Sequence, residues 1–174
     1  DAADASIHDS CGHLQLRFGD YAAAAASFDR AIEIQPDACH LYALRGRALT
    51  YNGQLDDALA DLEAAIERGD DSWLVYDTRG YYYRLTEDFE SAIEDYSRAI
   101  ERTDDPGPLY YNRAMARLGV NDYEGAFEDA NRAVELRPEL PESHHLQGLC
   151  CYYLDDHDAA IDFYEAAIEL SPDV

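Results

Sequence analysis

Residues 39–72 read CHLYALRGRALTYNGQLDDALADLEAAIERGDDS, and residues 141–174 read PESHHLQGLCCYYLDDHDAAIDFYEAAIELSPDV. Laid on each other, the two stretches share Gly at the eighth place and Ala at the twentieth and twenty-seventh: Gly46 with Gly148, Ala58 with Ala160, Ala65 with Ala167. The register extends through the chain from Ala5, and units 5–38, 39–72, 73–106, 107–140 and 141–174 abut without a gap. The remaining units put Gly12, Gly80 and Ala114 at place eight, Ala24, Ala92 and Ala126 at place twenty, and Ala31, Ala99 and Ala133 at place twenty-seven. A fixed 34-residue period means that each unit is one supersecondary element that buries its apolar face only against its neighbours. Function is then expected on a long surface and not in a pocket.

Inside each unit, apolar and small residues recur at three- and four-residue steps, the pattern of amphipathic helices. Small residues on one stripe let two helices approach closely, and a bulky residue opposite fills the space left. Turn chemistry falls mid-unit, at Phe18-Gly19-Asp20, Asn52-Gly53, Thr86-Glu87-Asp88, Val120-Asn121-Asp122 and Asp155-Asp156. A second break closes each unit at place 32, with Pro36, Pro138 and Pro172, or with Asp70 and Asp104. The pattern predicts ten helices in antiparallel pairs.

The large residues follow the same register. Place 24 holds Phe28, Leu62, Tyr96 and Tyr164, with Ala130 a departure, and place 17 holds Tyr21, Leu55, Phe89, Tyr123 and His157. Place four is Tyr42, Tyr76 and Tyr110, but His8 and His144 in the end units. Together with the small residues these places resemble the tetratricopeptide repeat (TPR) family over residues 5–174. The resemblance implies an all-α, right-handed α-solenoid of five helix-turn-helix repeats, forming a single domain over 1–174; arrays of the family usually finish with a capping helix, and this sequence is read as having no C-terminal capping helix.

The formal net charge is −24, and every one of the 13 basic residues is Arg. Such a field repels nucleic acid and anionic lipid, so neither is expected as a partner. No apolar run is long enough to span a membrane. The absence of Lys and the excess of Asp over Glu resemble proteins of salt-accumulating halophiles, with codon bias in a GC-rich genome as the alternative. The cytoplasm is the default compartment. Four cysteines, Cys11, Cys39, Cys150 and Cys151, make no disulfide framework at this length and are read as buried free thiols.

Place seven carries Arg45, Arg79 and Arg113 in the three middle units, and place 23 of the same units carries Asp61, Asp95 and Asp129. The end units have neither, with Cys11 and Ser27 in one and Gln147 and Phe163 in the other. Arg and Asp therefore appear and vanish together. An ion pair from the first helix to the second in each middle unit is expected, since a planar guanidinium can meet a carboxylate bidentately.

In the TPR family, ligands lie along a groove lined by the first helix of each unit. By that resemblance the groove residues are His13 and Arg17, then His40, Arg47 and Tyr51, then Asp77, Tyr81 and Arg84. They continue with Tyr111 and Met115 and end with His145, Tyr152 and Tyr153. Tyr and Arg are residue types that carry binding energy at protein interfaces. The family's carboxylate clamp needs Lys, which is missing, so an extended peptide or protein segment stacked on Tyr, with Arg taking an acidic side chain, is the expected ligand.

No nucleophile elbow, phosphate loop or His-Glu-x-x-His pattern occurs, so no enzyme and no cofactor is expected. The Asp pairs 56–57, 70–71, 104–105 and 155–156 fall at turns and are read as caps and solvated charge. His8 with Cys11, and His144 with Cys151, share helix faces, yet no compact metal-binding signature supports a metal site. The two end units leave apolar faces uncovered on this reading, which fits a head-to-tail contact between copies or five units cut from a longer array. The alternative to a scaffold is therefore a structural protein that polymerises head-to-tail, which would place it outside the cell.

Overall fold

The structure is a computed structural model and describes residues 2–171. Among them are ten helices and no strands. In chain order these are α1 (Ala2–Arg17), α2 (Tyr21–Ile34), α3 (Cys39–Tyr51), α4 (Leu55–Glu67) and α5 (Trp73–Leu85). The second half adds α6 (Phe89–Ile100), α7 (Gly107–Gly119), α8 (Tyr123–Leu136), α9 (Pro141–Tyr153) and α10 (His157–Leu170). The break expected at Pro172 and the end of the fifth unit at Val174 lie outside the described residues. The chain divides into two compact units, one up to Tyr82 and one from Tyr83 onward.

The turn inside every hairpin uses one backbone device. Place 15 takes positive φ in each: Gly19 at 76°, Gly53 at 79°, and Glu87, Asn121 and Asp155 at 61°. The next residue caps the second helix. Asp20, Asp88, Asp122 and Asp156 accept from the backbone N–H three residues on, at Ala23, Ser91, Gly125 and Ala159. Gln54 holds the equivalent place without a side-chain cap, and there the acidic charge moves into the first turn of α4 as Asp56 and Asp57.

In the first unit, α1 packs on α2, α2 on α3, and α3 on α4. Phe28, Ala31, Ile32, Leu41, Leu44 and Ala48 form its core. In the second unit, α7 packs on α8 and α9 on α10, while α6–α7 and α8–α9 join successive hairpins. Ala114, Ala126, Ala130, Leu146 and Cys150 form one core cluster, and Ala92, Tyr96 and Ala116 another.

Places eight and 24 face each other inside a hairpin. A Cβ on Gly12 would lie 2.6 Å from the Phe28 ring, and one on Gly148 2.7 Å from the Tyr164 ring. In the fourth repeat the facing pair is Ala114 and Ala130: the small residue at place 24 leaves room for a methyl at place eight.

Candidate functional site

Aromatic side chains of first and second helices line up across repeats. In the first unit the Tyr21 and Tyr51 ring centroids are 5.2 Å apart, and those of Tyr51 and Tyr81 are 5.4 Å apart. Tyr21 opens α2, Tyr51 closes α3 and Tyr81 lies in α5, so a 30-residue spacing builds a three-ring ladder. Such distances lie within the range of attractive aromatic pairs. Tyr51 is 39% exposed. The Arg47 guanidinium lies 5.6 Å from the Tyr51 ring centroid. Arg17, His13 and His40 are exposed, and Asp77, Tyr81 and Arg84 are half-buried. His13 sets its edge against Phe28 at 5.8 Å and lies 3.5 Å from Asp9.

The second unit repeats the device. Tyr123, the first residue of α8, stacks on Tyr153 at 4.9 Å with only 9° between the planes. Tyr152 meets Tyr153 edge-on and His157 at 5.6 Å, and is itself 54% exposed. Tyr111 and Met115 pack against the core cluster of this unit and are half-buried. His145 is exposed and lies 5.4 Å from the Tyr164 ring. The sequence reading chose Tyr51, Tyr81 and Tyr153 for this face but treated Tyr21 and Tyr123 as packing residues. The regular Tyr spacing, 21–51–81 and 123–153, is the signal that finds them.

The ion pairs join the two helices of a hairpin. Arg45 Nε donates to Asp61 Oδ2 at 2.7 Å and Nη2 to Oδ1 at 2.7 Å. Arg113 holds Asp129 in the same way, and Arg117 Nη1 approaches Asp129 at 3.3 Å. The hydrogen bonds to Asp61 and Asp129 raise the Arg45 and Arg113 pKa values above the ordinary guanidinium value. Arg79 lies 6.0 Å from the Tyr76 ring, and Asp95 is 2% exposed with Arg98 Nη1 at 3.5 Å.

Place seven also reaches back to place 25 of the preceding repeat, a contact the sequence reading missed. Arg45 Nη1 donates to Asp29 at 2.5 Å, Arg113 Nη1 to Ser97 Oγ at 2.9 Å, and Gln147 Nε2 to Asn131 Oδ1 at 2.7 Å. The rung therefore persists in the fifth repeat with neutral amides in place of the charge pair. Of the thiols, Cys150 and Cys151 are buried, Cys39 is half-buried and Cys11 is exposed. Cys11 thus departs from the expected burial, because place seven of the first helix has no preceding hairpin among the described residues to cover it.

Among the described residues no helix is long and apolar enough to cross a membrane, and no group of three or more His, Cys, Asp or Glu is placed to hold a metal ion.

The chain shares its fold with several solved structures. The crystal structure of MamA protein superposes with a TM-score of 0.81 at 17% identity, covering 99% of this chain and 94% of that one. MamA 41-end from Desulfovibrio magneticus RS-1 gives a TM-score of 0.85 at 18% identity, covering 97% and 96%. YrrB, described as a TPR protein with an unusual peptide-binding site, gives 0.79 at 19% identity, covering 98% and 88%. None of the curated proteins matches the chain. Family models of the tetratricopeptide repeat match residues 6–38 and 107–140, 43–108, and 141–174. With repeat-family matches along nearly its whole length and the helical hairpins to go with them, the chain belongs to the tetratricopeptide repeat family.

Proposed function

We propose that the chain is a non-catalytic interaction scaffold that holds an extended peptide or protein segment against its first-helix faces. The observation that carries this reading is the Tyr21–Tyr51–Tyr81 ladder, a row of rings that remains partly open to solvent beside Arg47. Rigid aromatic side chains give large contact area at low entropic cost, and a neighbouring guanidinium adds directional hydrogen bonding. The Tyr123–Tyr153 stack offers a second such place in the other unit. The fold is also that of YrrB, described as a TPR protein with an unusual peptide-binding site, which supports a peptide as the kind of ligand.

A displayed library of random peptides, selected against the folded chain, tests the proposal. Selected peptides should bind the parent with micromolar Kd and lose about tenfold or more against Tyr51→Ala or Tyr81→Ala. Selection that yields no binder, or binders indifferent to both substitutions, would overturn it.

A further inference from the structure

Places three, six and ten of a repeat are those its first helix turns against the preceding hairpin. In α3 they are Leu41, Leu44 and Ala48, at 1%, 4% and 0% exposure, packed with Phe28, Ala31 and Ile32. In α9 they are Ser143, Leu146 and Cys150, all buried, with the last two set against Ala126 and Ala130. In α1 the same places hold Ile7, Ser10 and Leu14, and here Ile7 is 60% exposed and Leu14 53% exposed. An aliphatic stripe that is buried in the sister helices lies open on this one.

The complementary seat is made by places 24, 27 and 28 of a hairpin. In the first repeat these are Phe28, Ala31 and Ile32, covered by α3. In the fifth they are Tyr164, Ala167 and Ile168, and Ile168 is 65% exposed. With Tyr111, Pro141 and His145 they line a cavity of about 600 Å³. The seat and the stripe thus occur on one chain, in the register at which the repeats already pack.

We propose that this cavity receives α1 of a second copy, with Ile7 and Leu14 of one chain set on Tyr164, Ala167 and Ile168 of the other. The contact reproduces between two copies the packing of α3 on the first hairpin. The rung from place seven to place 25 extends to it: its members at this joint are Cys11 of one copy and Glu165 of the other. A helix with aliphatic residues seven apart, two turns along one face, entering an apolar seat is a common mode of helix recognition. Two partners of charge −24 repel at low salt, so the contact needs screening. Because the faces are heterologous, the same contact can repeat from copy to copy.

Light scattering after size exclusion, in molar sodium chloride with a reductant, reads the outcome over a hundredfold range of protein concentration. The parent chain should gain mass as concentration rises. Ile7→Glu with Leu14→Glu should hold it monomeric, as should Ile168→Glu, and all three positions are exposed, so the fold tolerates the charge. Mixing those two variants should give one-to-one dimers and nothing longer, since only one intact seat faces one intact stripe. Cys11→Arg should tighten association by about threefold to tenfold by meeting Glu165. A parent that stays monomeric, variants that associate like the parent, or a mixture that stays monomeric would each overturn the proposal. Tyr51→Ala should leave association unchanged, which separates it from the peptide-binding reading.

Discussion

Arg113 grips Asp129 with two arms of its guanidinium, Nε to Oδ2 at 2.8 Å and Nη2 to Oδ1 at 2.7 Å, and the carboxylate side chain is only 4% exposed. Removing the acid leaves Arg113 half-buried without its bidentate partner and takes from Arg117 one of its two carboxylate neighbours. Asp129→Ala should therefore cost about 3–5 kcal/mol in chemical unfolding. Asp162→Ala, at an exposed place, should cost less than about 0.5 kcal/mol. Replacing both partners, as Arg113→Met with Asp129→Leu, should cost less than Asp129→Ala alone, because no charge is stranded. Equal losses for Asp129→Ala and Asp162→Ala would remove the pair from the stability account.

The architecture was legible because the repeat writes each rule five times. Small residues at places eight, 20 and 27 announced where helices touch, and the joint presence and absence of Arg and Asp at places seven and 23 pointed to Arg45 with Asp61 and Arg113 with Asp129. Less legible was anything that joins one repeat to the next. The link from place seven to place 25 uses Asp29, Ser97 and Asn131, three different residue types, so no single letter marks it. Tyr21 and Tyr123 were hidden for another reason: place 17 is a packing place in the family, and only the ring geometry shows that they also complete the surface ladders. Asp105, read as solvated charge, pairs with Arg137 of the next repeat.

A methyl group at place eight is tolerated only where its partner is small. In the second repeat a Cβ on Gly46 would meet Leu62 Cγ at 2.9 Å and the Ala58 carbonyl at 3.3 Å, and Leu62 is fully buried. Gly46→Ala should thus lose about 1–3 kcal/mol despite the better helix propensity of Ala. Denaturant titration measures it, and a stabilised variant would show that the hairpin can open without cost.

Glu87 holds φ at 61°, a region in which Cβ crowds the backbone carbonyl, at the place where Gly19 and Gly53 serve the first two hairpins. Glu87→Gly should stabilise by about 0.5–1 kcal/mol, the relief of left-handed strain outweighing the extra chain entropy of Gly. Gly53→Glu should destabilise by a similar amount. Thermal melts of the two variants should move in opposite directions, and parallel shifts would contradict the strain argument.

The net charge of −24 acts on the fold itself, not only on partners. Like charges held on a compact array repel, and the screening length falls from about 10 Å at 0.1 M salt to about 3 Å at 1 M. The melting temperature should rise by about 5 °C or more over that range. The charged pairs at Asp61 and Asp129 weaken little, since they are largely buried. A flat or falling melting temperature would show that self-repulsion does not limit stability.

Burial pushes the Cys150 thiol up to about 12, and Cys151 and Tyr164 beside it rise for the same reason. A raised pKa means that the native state holds the proton more tightly than the unfolded chain, whose thiol titrates near its ordinary value of 9.0. The stabilising contribution is therefore intact below about pH 9 and is lost as pH climbs toward 12. Between these limits the parent should lose stability more steeply than Cys150→Ala. Reactivity should divide the thiols at pH 8: Cys11 labels at once, while Cys150 and Cys151 label only as the fold opens. Prompt labelling of Cys150 in the folded chain would show that the second unit opens far more readily than its packing implies.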